Sequence, residues 1–341
     1  RGIRISGAHW TSELLQHVDA AQKIELAVAT VFPGLKEERF VENGIIYYTA
    51  GQPARYPPFG MRRVDFERCQ EIIEDFRPDL IHFHGSERFF GLVKATGRTR
   101  VPSVVSLQGV LGPYSRRRAF FGALSIAEIL RSIRIAELPL GLGLAWQYAD
   151  MRRGARREAR ILKSVEGLLG RTEWDRAWGR VLGPQANYYH VGEILRPSFR
   201  DHEWNIGSCR RQTLIYTNAG SPRRGTENVL AAVASLRGEF PLLRLRLAGT
   251  VSKRSGYGRF LLRRVRALGL EDCVDFLGAL DESGILRELC AAHLFVMASY
   301  LENSPNSLAE AMSVGMPCVA SFVGGIPSMV ADGQTGLLYP V

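Results

Sequence analysis

Residues 299–325 read SYLENSPNSLAEAMSVGMPCVASFVGG, and their pattern decides the fold. The order is loop, helix, short strand, loop. Ser304 reads as the cap and Pro305 as the first helical residue, because a serine oxygen accepts from the orphan N–H groups of a first turn and proline has no N–H to lose. Leu308, Ala311 and Met312 mark the apolar face. Gly315 closes the helix in a left-handed conformation, with Pro317 just beyond. Residues 318–321 then form a short buried strand before a Gly324-Gly325 turn.

Two carboxylates stand out. Glu302 precedes the helix, and Glu310 lies inside it between Ala309 and Ala311. A helix this apolar belongs against a sheet, where an unpaired carboxylate costs several kcal/mol. Ligand hydroxyls would satisfy it. The helix N-terminus beside Glu302 favours an anion such as phosphate. A molecule with hydroxyls at both ends and phosphates in the middle, such as a nucleotide sugar, meets all three features. On spacing alone, two unrelated surface glutamates fit equally well.

The surrounding residues separate these readings. Glu, seven residues, Glu, then Ala-Met, Gly, Pro, a short strand and Gly-Gly resembles the signature of the family-4 (group 1) retaining glycosyltransferases of the GT-B fold. The resemblance implies two Rossmann-like α/β domains facing across a cleft. It implies that Glu302 meets sugar hydroxyls and Glu310 the ribose. Against the family pattern, the first strand and the C-terminal helix are expected to be truncated, since the chain opens at Arg1 and stops after Tyr339-Pro340-Val341.

Composition agrees with a soluble globular protein: 341 residues, 46% hydrophobic and 23% charged, enough for two domains. No run of eighteen apolar residues and no signal peptide are visible. The five cysteines are scattered, without a zinc-like cluster, which fits a reducing cytoplasm. A formal charge of +10 calls for an anionic partner, whether nucleic acid, membrane or phosphorylated substrate.

Strand signals alternate with helical spans. Residues 24–30, 45–50, 78–85 (PDLIHFHG) and 102–109 (PSVVSLQG) read as strands of the first domain, residues 1–200; residues 167–177 (GLLGRTEWDRA) read as a strand then a helix, and 187–199 as a strand leading out of the domain. Ligands of such sheets sit at the carboxyl ends of the strands. That puts His84, Gly85, Ser86, Gln108 and Gly109 at a cleft rim, with His84, Gln108 and His9 on the acceptor side. Gly7 begins a small-residue turn before a helix, where the resemblance implies a donor-facing loop. Thr172 reads as a helix cap. The polar stretch 201–211 is the interdomain linker, and residues 212–341 form the nucleotide-sugar domain.

In that second domain TLIYTNAG (213–220) leads into SPRRGTENVLAAVASL. Arg223 and Arg224 stand where a helix start already favours anions. The resemblance puts Arg224-Gly225 at the family's Lys-Gly position, while Ala219 replaces its earlier clamp arginine. Ser328 likewise stands where many members carry an acid. Base contacts are expected after Phe276-Leu277-Gly278. The donor-binding set is therefore Gly7, Arg223, Arg224, Gly278, Glu302, Asn303, Ser304, Asn306, Ser307, Leu308 and Glu310, with Arg224 and Glu302 as the catalytic pair.

Residues 115–160 differ in composition. Arg116, Arg117, Arg118, Arg131, Arg134, Arg152, Arg153, Arg156, Arg157 and Arg160 meet only four acids, interleaved with Phe120, Phe121, Leu140, Leu142 and Trp146. Two readings compete: a docking face for an anionic membrane, or a solvated helical surface packed onto the domain.

The expected function is transfer of a hexosyl group from a nucleotide-sugar donor to a saccharide or lipid-linked acceptor, with retention as the family implies. Polysaccharide or glycolipid synthesis for the cell envelope is the expected setting, at the inner face of the membrane. No Asp-x-Asp occurs, so no metal site and no cofactor are expected. A phosphorylase would need a pyridoxal-phosphate lysine, and none of the five lysines has a convincing setting. A non-catalytic nucleotide-sugar binder is the alternative that Ala219 motivates. A nucleic-acid-binding protein rests on charge alone, without stacking motifs or a recognisable module.

Overall fold

The computed structural model describes residues 24–33, 36–52, 63–133, 143–192 and 194–341. In chain order the first domain runs β1 (Ala27–Pro33), β2 (Glu38–Glu42), β3 (Ile45–Gln52), α1 (Arg63–Phe76), β4 (Ile81–His84), α2 (Leu92–Ala95), β5 (Ser103–Ser106) and α3 (Leu111–Tyr114). It continues with α4 (Arg117–Phe121), α5 (Ile126–Ser132), α6 (Gly143–Leu162), β6 (Gly167–Gly170), α7 (Glu173–Leu182) and β7 (Asn187–His190). The second comprises β8 (Thr213–Tyr216), α8 (Thr226–Leu236), β9 (Arg244–Ala248), α9 (Gly256–Ala267), β10 (Val274–Gly278) and α10 (Glu282–Ala291). It ends with β11 (Leu294–Met297), α11 (Asn306–Ser313), β12 (Cys318–Ser321) and β13 (Leu337–Tyr339).

Strands β4-β5-β6-β7 form one parallel sheet, and β10-β9-β8-β11-β12-β13 another. A third, smaller sheet has β3 in the middle, with β1 parallel along one edge and β2 antiparallel along the other. The short, apolar strands are what a sheet covered on both faces requires. In the second domain Leu245, Leu247 and Tyr216 pack with Val229 and Leu261, while Ile215 and Phe295 pack with Leu308 and Ala311. Helices therefore cover both faces. Phe83, Val105 and Leu168 pack with Ile161 and Leu162 in the first domain.

Residues 201–211 carry no helix or strand. They are nonetheless anchored to the second domain. The Trp204 N–H donates to the Val314 carbonyl at 2.7 Å and its indole N–H to that of Ala292 at 2.7 Å.

Two groups of contacts stand out among those that join the domains. The first is a clasp. Thr172 caps α7 with a capping box, and its hydroxyl donates to Asn303 Oδ1 at 2.8 Å. Asn303 Nδ2 donates in turn to the Leu107 carbonyl at 3.1 Å. The Glu173 N–H donates to Ser328 Oγ at 3.1 Å. The second is a strap. Phe120, Phe121 and Leu124 belong to the same buried cluster as Leu245 and Val229 of the second domain. At Gly256 a Cβ would lie 1.6 Å from the Ser132 carbonyl oxygen, so only glycine lets α9 meet the end of α5.

The strap corrects part of the expectation for residues 115–160. Phe120 and Phe121 are buried against the second domain and Tyr148, at ring distances of 5.1 and 4.9 Å from that tyrosine, so they cannot enter a bilayer. Leu140, Leu142 and Arg134 lie outside the described residues. Of the remaining arginines all but Arg157 are exposed. Among the described residues of the segment, Ile126 and Leu130, one turn apart on α5, are the exposed large apolar side chains. Among the described residues no helix is long and apolar enough to cross a membrane.

Asn303→Ala removes two buried hydrogen bonds and leaves the Leu107 carbonyl without its donor. The expected loss is about 1–3 kcal/mol per unsatisfied buried group, read as a lower urea midpoint. An unchanged midpoint would mean the clasp contributes nothing to holding the domains.

Candidate active site

The candidate site lies where the loops after β8, β11 and β12 come together. Their approach depends on glycine. At Gly225, φ is +70° and a Cβ would stand 2.1 Å from the Ala298 carbonyl oxygen. At Gly324, φ is +53° and a Cβ would stand 1.9 Å from the Glu302 carbonyl oxygen. That same carbonyl accepts the Gly325 N–H at 3.0 Å. Side chains at these positions would push the loops apart.

With the loops this close, the Arg224 guanidinium pairs with the Glu302 carboxylate, and both side chains are largely buried. Burial, and Arg223 next to it, pull Arg224 down to about 10, which leaves it charged at neutral pH. The Tyr216 hydroxyl donates to the Arg224 carbonyl and fixes the turn from below. Arg223 lies over the Tyr114 ring of the first domain, 5.5 Å from its centroid. An anion entering here would compete with Glu302 for Arg224.

Helix α11 begins at Asn306, one residue later than the sequence pattern predicts. Pro305 takes the N-cap position with extended backbone, and no side chain caps the helix. The Pro305 carbonyl accepts the N–H groups of Leu308 and Ala309. The N–H groups of Asn306 and Ser307 precede the first intrahelical bond and are the ones an anion can use. Ser304, Asn306 and Ser307 are half-buried beside them. Two other expected contacts are engaged elsewhere. Leu308 is in the core, and Asn303 has both ends of its amide on the first domain.

Glu310 is buried on α11, as the sequence requires, but it is not unpaired. Arg196 donates to its Oε1 at 2.5 Å and also reaches Glu282 at 3.5 Å. The Arg196 guanidinium lies 4.6 Å from the Phe199 ring centroid, which holds it in place. Burial pushes the Glu310 carboxyl up and Arg196 opposes the shift. The partner is 114 residues away in sequence, so no local pattern announces it. Gly278, at the end of β10 with φ +71°, has open space where a side chain would be, room for a flat ring.

In the first domain the structure brings together the two described acceptor-side residues. The Gln108 amide donates to His84 Nε2 at 3.1 Å, and Arg171 donates to Gln108 Oε1 at 2.7 Å. Burial, with His82 and Arg171 nearby, pushes His84 down to about 3, so its ring is neutral at physiological pH. Gly7 and His9 lie outside the described residues.

Several residues at the cleft carry no sequence signature. Tyr114, Arg171 and Arg196 are long-range partners of expected residues. The hydroxyls of Thr217 and Ser299, at the carboxyl ends of adjacent strands β8 and β11, are buried without a hydrogen-bond partner. Their place just after strands was the available signal. Glu158 of α6 is fully buried. It accepts from Ser86 Oγ at 2.6 Å and from the Leu111 N–H at 2.7 Å, so one carboxylate holds the loops after β4 and β5. Burial pushes it up to about 7, with Glu87 adding to the rise.

Comparison with known proteins places this geometry. Residues 204–341 match the family model for glycosyl transferases group 1. Residues 204–341 thus resemble a group 1 glycosyltransferase domain. A D-inositol 3-phosphate glycosyltransferase of Streptomyces avermitilis is 36% identical over 129 residues, 36% of this chain and 28% of that protein. The match thus spans under a third of that curated relative. Over nearly the whole chain the fold follows sucrose-phosphate synthase from Thermosynechococcus elongatus, with TM-score 0.69 and 20% identity, covering 98% of this chain and 80% of that one. The Anabaena protein HepE, solved in complex with UDP-glucose, superposes with TM-score 0.59 at 18% identity over 81% of this chain and 68% of that one. The fold is GT-B, as the resemblance implies.

The folded protein holds the Glu158 proton more tightly than the unfolded chain, whose carboxyl titrates near 4.5. The stability this provides is complete below about pH 4.5 and is lost as pH rises through about 7. Glu158→Gln cannot titrate. The wild-type melting temperature minus that of Glu158→Gln should therefore shrink steadily from pH 4.5 to 8. A constant difference would contradict the raised value.

Proposed function

We propose that the protein transfers a sugar from a nucleotide-sugar donor to a hydroxyl of an acceptor, with the anomeric configuration retained and without a metal ion. One observation carries this reading: the buried Arg224–Glu302 pair at the mouth of α11, with Arg223 alongside. The donor diphosphate takes Arg224, Arg223 and the first amides of α11. Glu302, released from Arg224, turns to the sugar hydroxyls. Glu310, oriented by Arg196, meets the ribose, and the base lies beside Gly278. As the glycosidic bond breaks, negative charge grows on the leaving phosphate where a desolvated guanidinium already stands. The donor's own phosphate takes the proton of the acceptor hydroxyl.

HepE's complex with UDP-glucose supports a uridine nucleotide as the first probe. Polysaccharide or glycolipid synthesis is the setting we assign, at the inner face of a membrane. The exposed arginines of residues 115–160, with Ile126 and Leu130, support peripheral contact with anionic lipid. A second reading, a nucleotide-sugar binder without turnover, is favoured by Ala219. That residue is fully buried and its carbonyl accepts from Thr226, so no cation replaces the family's clamp arginine there.

A panel of nucleotide sugars should contain one that raises the melting temperature. Glu310→Gln should weaken that donor about ten- to a hundredfold by calorimetry, the loss of one charged hydrogen bond worth about 1.5–3 kcal/mol. Turnover should survive excess EDTA and fall steeply in Arg224→Ala. Activity abolished by EDTA and restored by magnesium would overturn the account of leaving-group stabilisation, and binding without any turnover would favour the second reading.

Sedimentation with anionic vesicles should weaken with added salt and fall when Arg116, Arg117 and Arg118 become Ser, each basic group contributing about 1 kcal/mol near such a surface. Equal sedimentation with neutral and anionic vesicles, or none with either, would discard the membrane contact.

A further inference from the structure

Two carboxylates sit near one another under the loops that follow β4 and β5. Glu158 is used up by structure, with one oxygen on Ser86 and the other on the Leu111 N–H. Glu87 is not. Its Oε2 is buried and accepts no hydrogen bond. Its backbone is fixed, since Arg157 donates to the Glu87 carbonyl at 2.7 Å. Arg88, Arg171 and Arg157 favour its charge, yet burial outweighs them and pushes the carboxyl up. Buried acceptors in folded proteins are almost always paired, so one left bare on a rigid loop marks a place where a partner arrives.

Position narrows the partner. Glu87 follows β4 at the carboxyl edge of the first sheet. Arg171, on the loop after β6, and Tyr114, on the segment after β5, both lie within electrostatic reach. Tyr114 is the ring that carries Arg223 of the proposed diphosphate grip. The bare oxygen therefore belongs to the first-domain side of the cleft, across from the donor.

We propose that Glu87 recognises the acceptor, its free oxygen accepting a hydrogen bond from a hydroxyl of a sugar or other polyol held between the loops after β4, β5 and β6. This rests on the transferase reading above. A hydroxyl is the complement the site calls for, because it donates without bringing negative charge beside a carboxylate. Among the described residues no side chain donates a hydrogen bond to Glu87 Oε2.

The test has two arms. In the first, without ligand, Glu87→Gln should melt no lower than wild type, because neutralising a buried carboxylate with an unused oxygen removes a penalty. Glu158→Gln, which breaks a satisfied pair of bonds, should melt lower. In the second, calorimetry in the presence of UDP measures D-glucose and myo-inositol as polyol probes. Wild type should bind at least one of them, Glu87→Gln about tenfold more weakly, and Glu87→Ala more weakly still, with UDP affinity unchanged in both variants. A melting temperature for Glu87→Gln as low as that of Glu158→Gln, equal polyol affinity in all three proteins, or no polyol binding by wild type would each overturn the proposal. Loss of UDP binding in wild type would instead count against the transferase reading, and the ligand-free arm would still decide whether Glu87 is structural.

Discussion

The close approach of two backbone segments, at Gly225 and at Gly324-Gly325, to residues 298–303 is the constraint on which the rest of the site depends. Gly225, Gly324 and Gly325 each lie where a Cβ would stand about 2 Å from a carbonyl oxygen of that stretch. No side-chain rearrangement relieves such a contact, because both parties are backbone. The loops after β8, β11 and β12 can therefore close only as glycine turns. Their closure is what brings Arg224 within reach of Glu302 and sets the open N-terminus of α11 beside them.

On the donor side of the cleft both buried glutamates are paired within the protein. Arg224 is held by Glu302 and Glu310 by Arg196. Leaving any of these groups buried and unpaired would cost several kcal/mol, so the pairing keeps the empty site stable. Under the proposed function it also makes binding an exchange of partners, a diphosphate replacing Glu302 on Arg224 and freeing that carboxylate for hydroxyls. Arg223 is steadied by Tyr114 of the other domain, so the grip on an anion is shared between the two halves.

The domains are coupled close to this chemistry. Asn303, next to Glu302 in sequence, holds Thr172 and the Leu107 carbonyl of the first domain. The strap through Phe120 and Phe121 lies behind the cationic turn. Near Gly122, a Cβ would fall within 3 Å of both the Tyr300 ring and the Pro222 carbonyl oxygen. Phe120 and Phe121, which composition alone offers to a membrane, are thus consumed in joining domains. Among the described residues of that segment, exposed arginines and the aliphatic side chains of Ile126 and Leu130 are left for an anionic surface.

The sequence by itself determined the local elements and the donor-side signature. Alternating apolar strands and helical spans, the Thr172 cap, the left-handed Gly315 and the Gly-Gly turn are short-range features, written by backbone sterics and capping chemistry within a few residues. The place of His84 and Gln108 at one rim was also legible, because both lie at the carboxyl ends of strands of one parallel sheet; that they hydrogen-bond each other was not. Only the tertiary structure decided what each buried charge meets. Arg196 reaches Glu310 across 114 residues, and Ser86 reaches Glu158 across 72. It turned Asn303 toward the other domain, moved the start of α11 to Asn306, buried Phe120 and Phe121, and left one oxygen of Glu87 bare. These are outcomes of packing distant segments together, and a side chain's partner depends on which segment arrives, which no local pattern encodes.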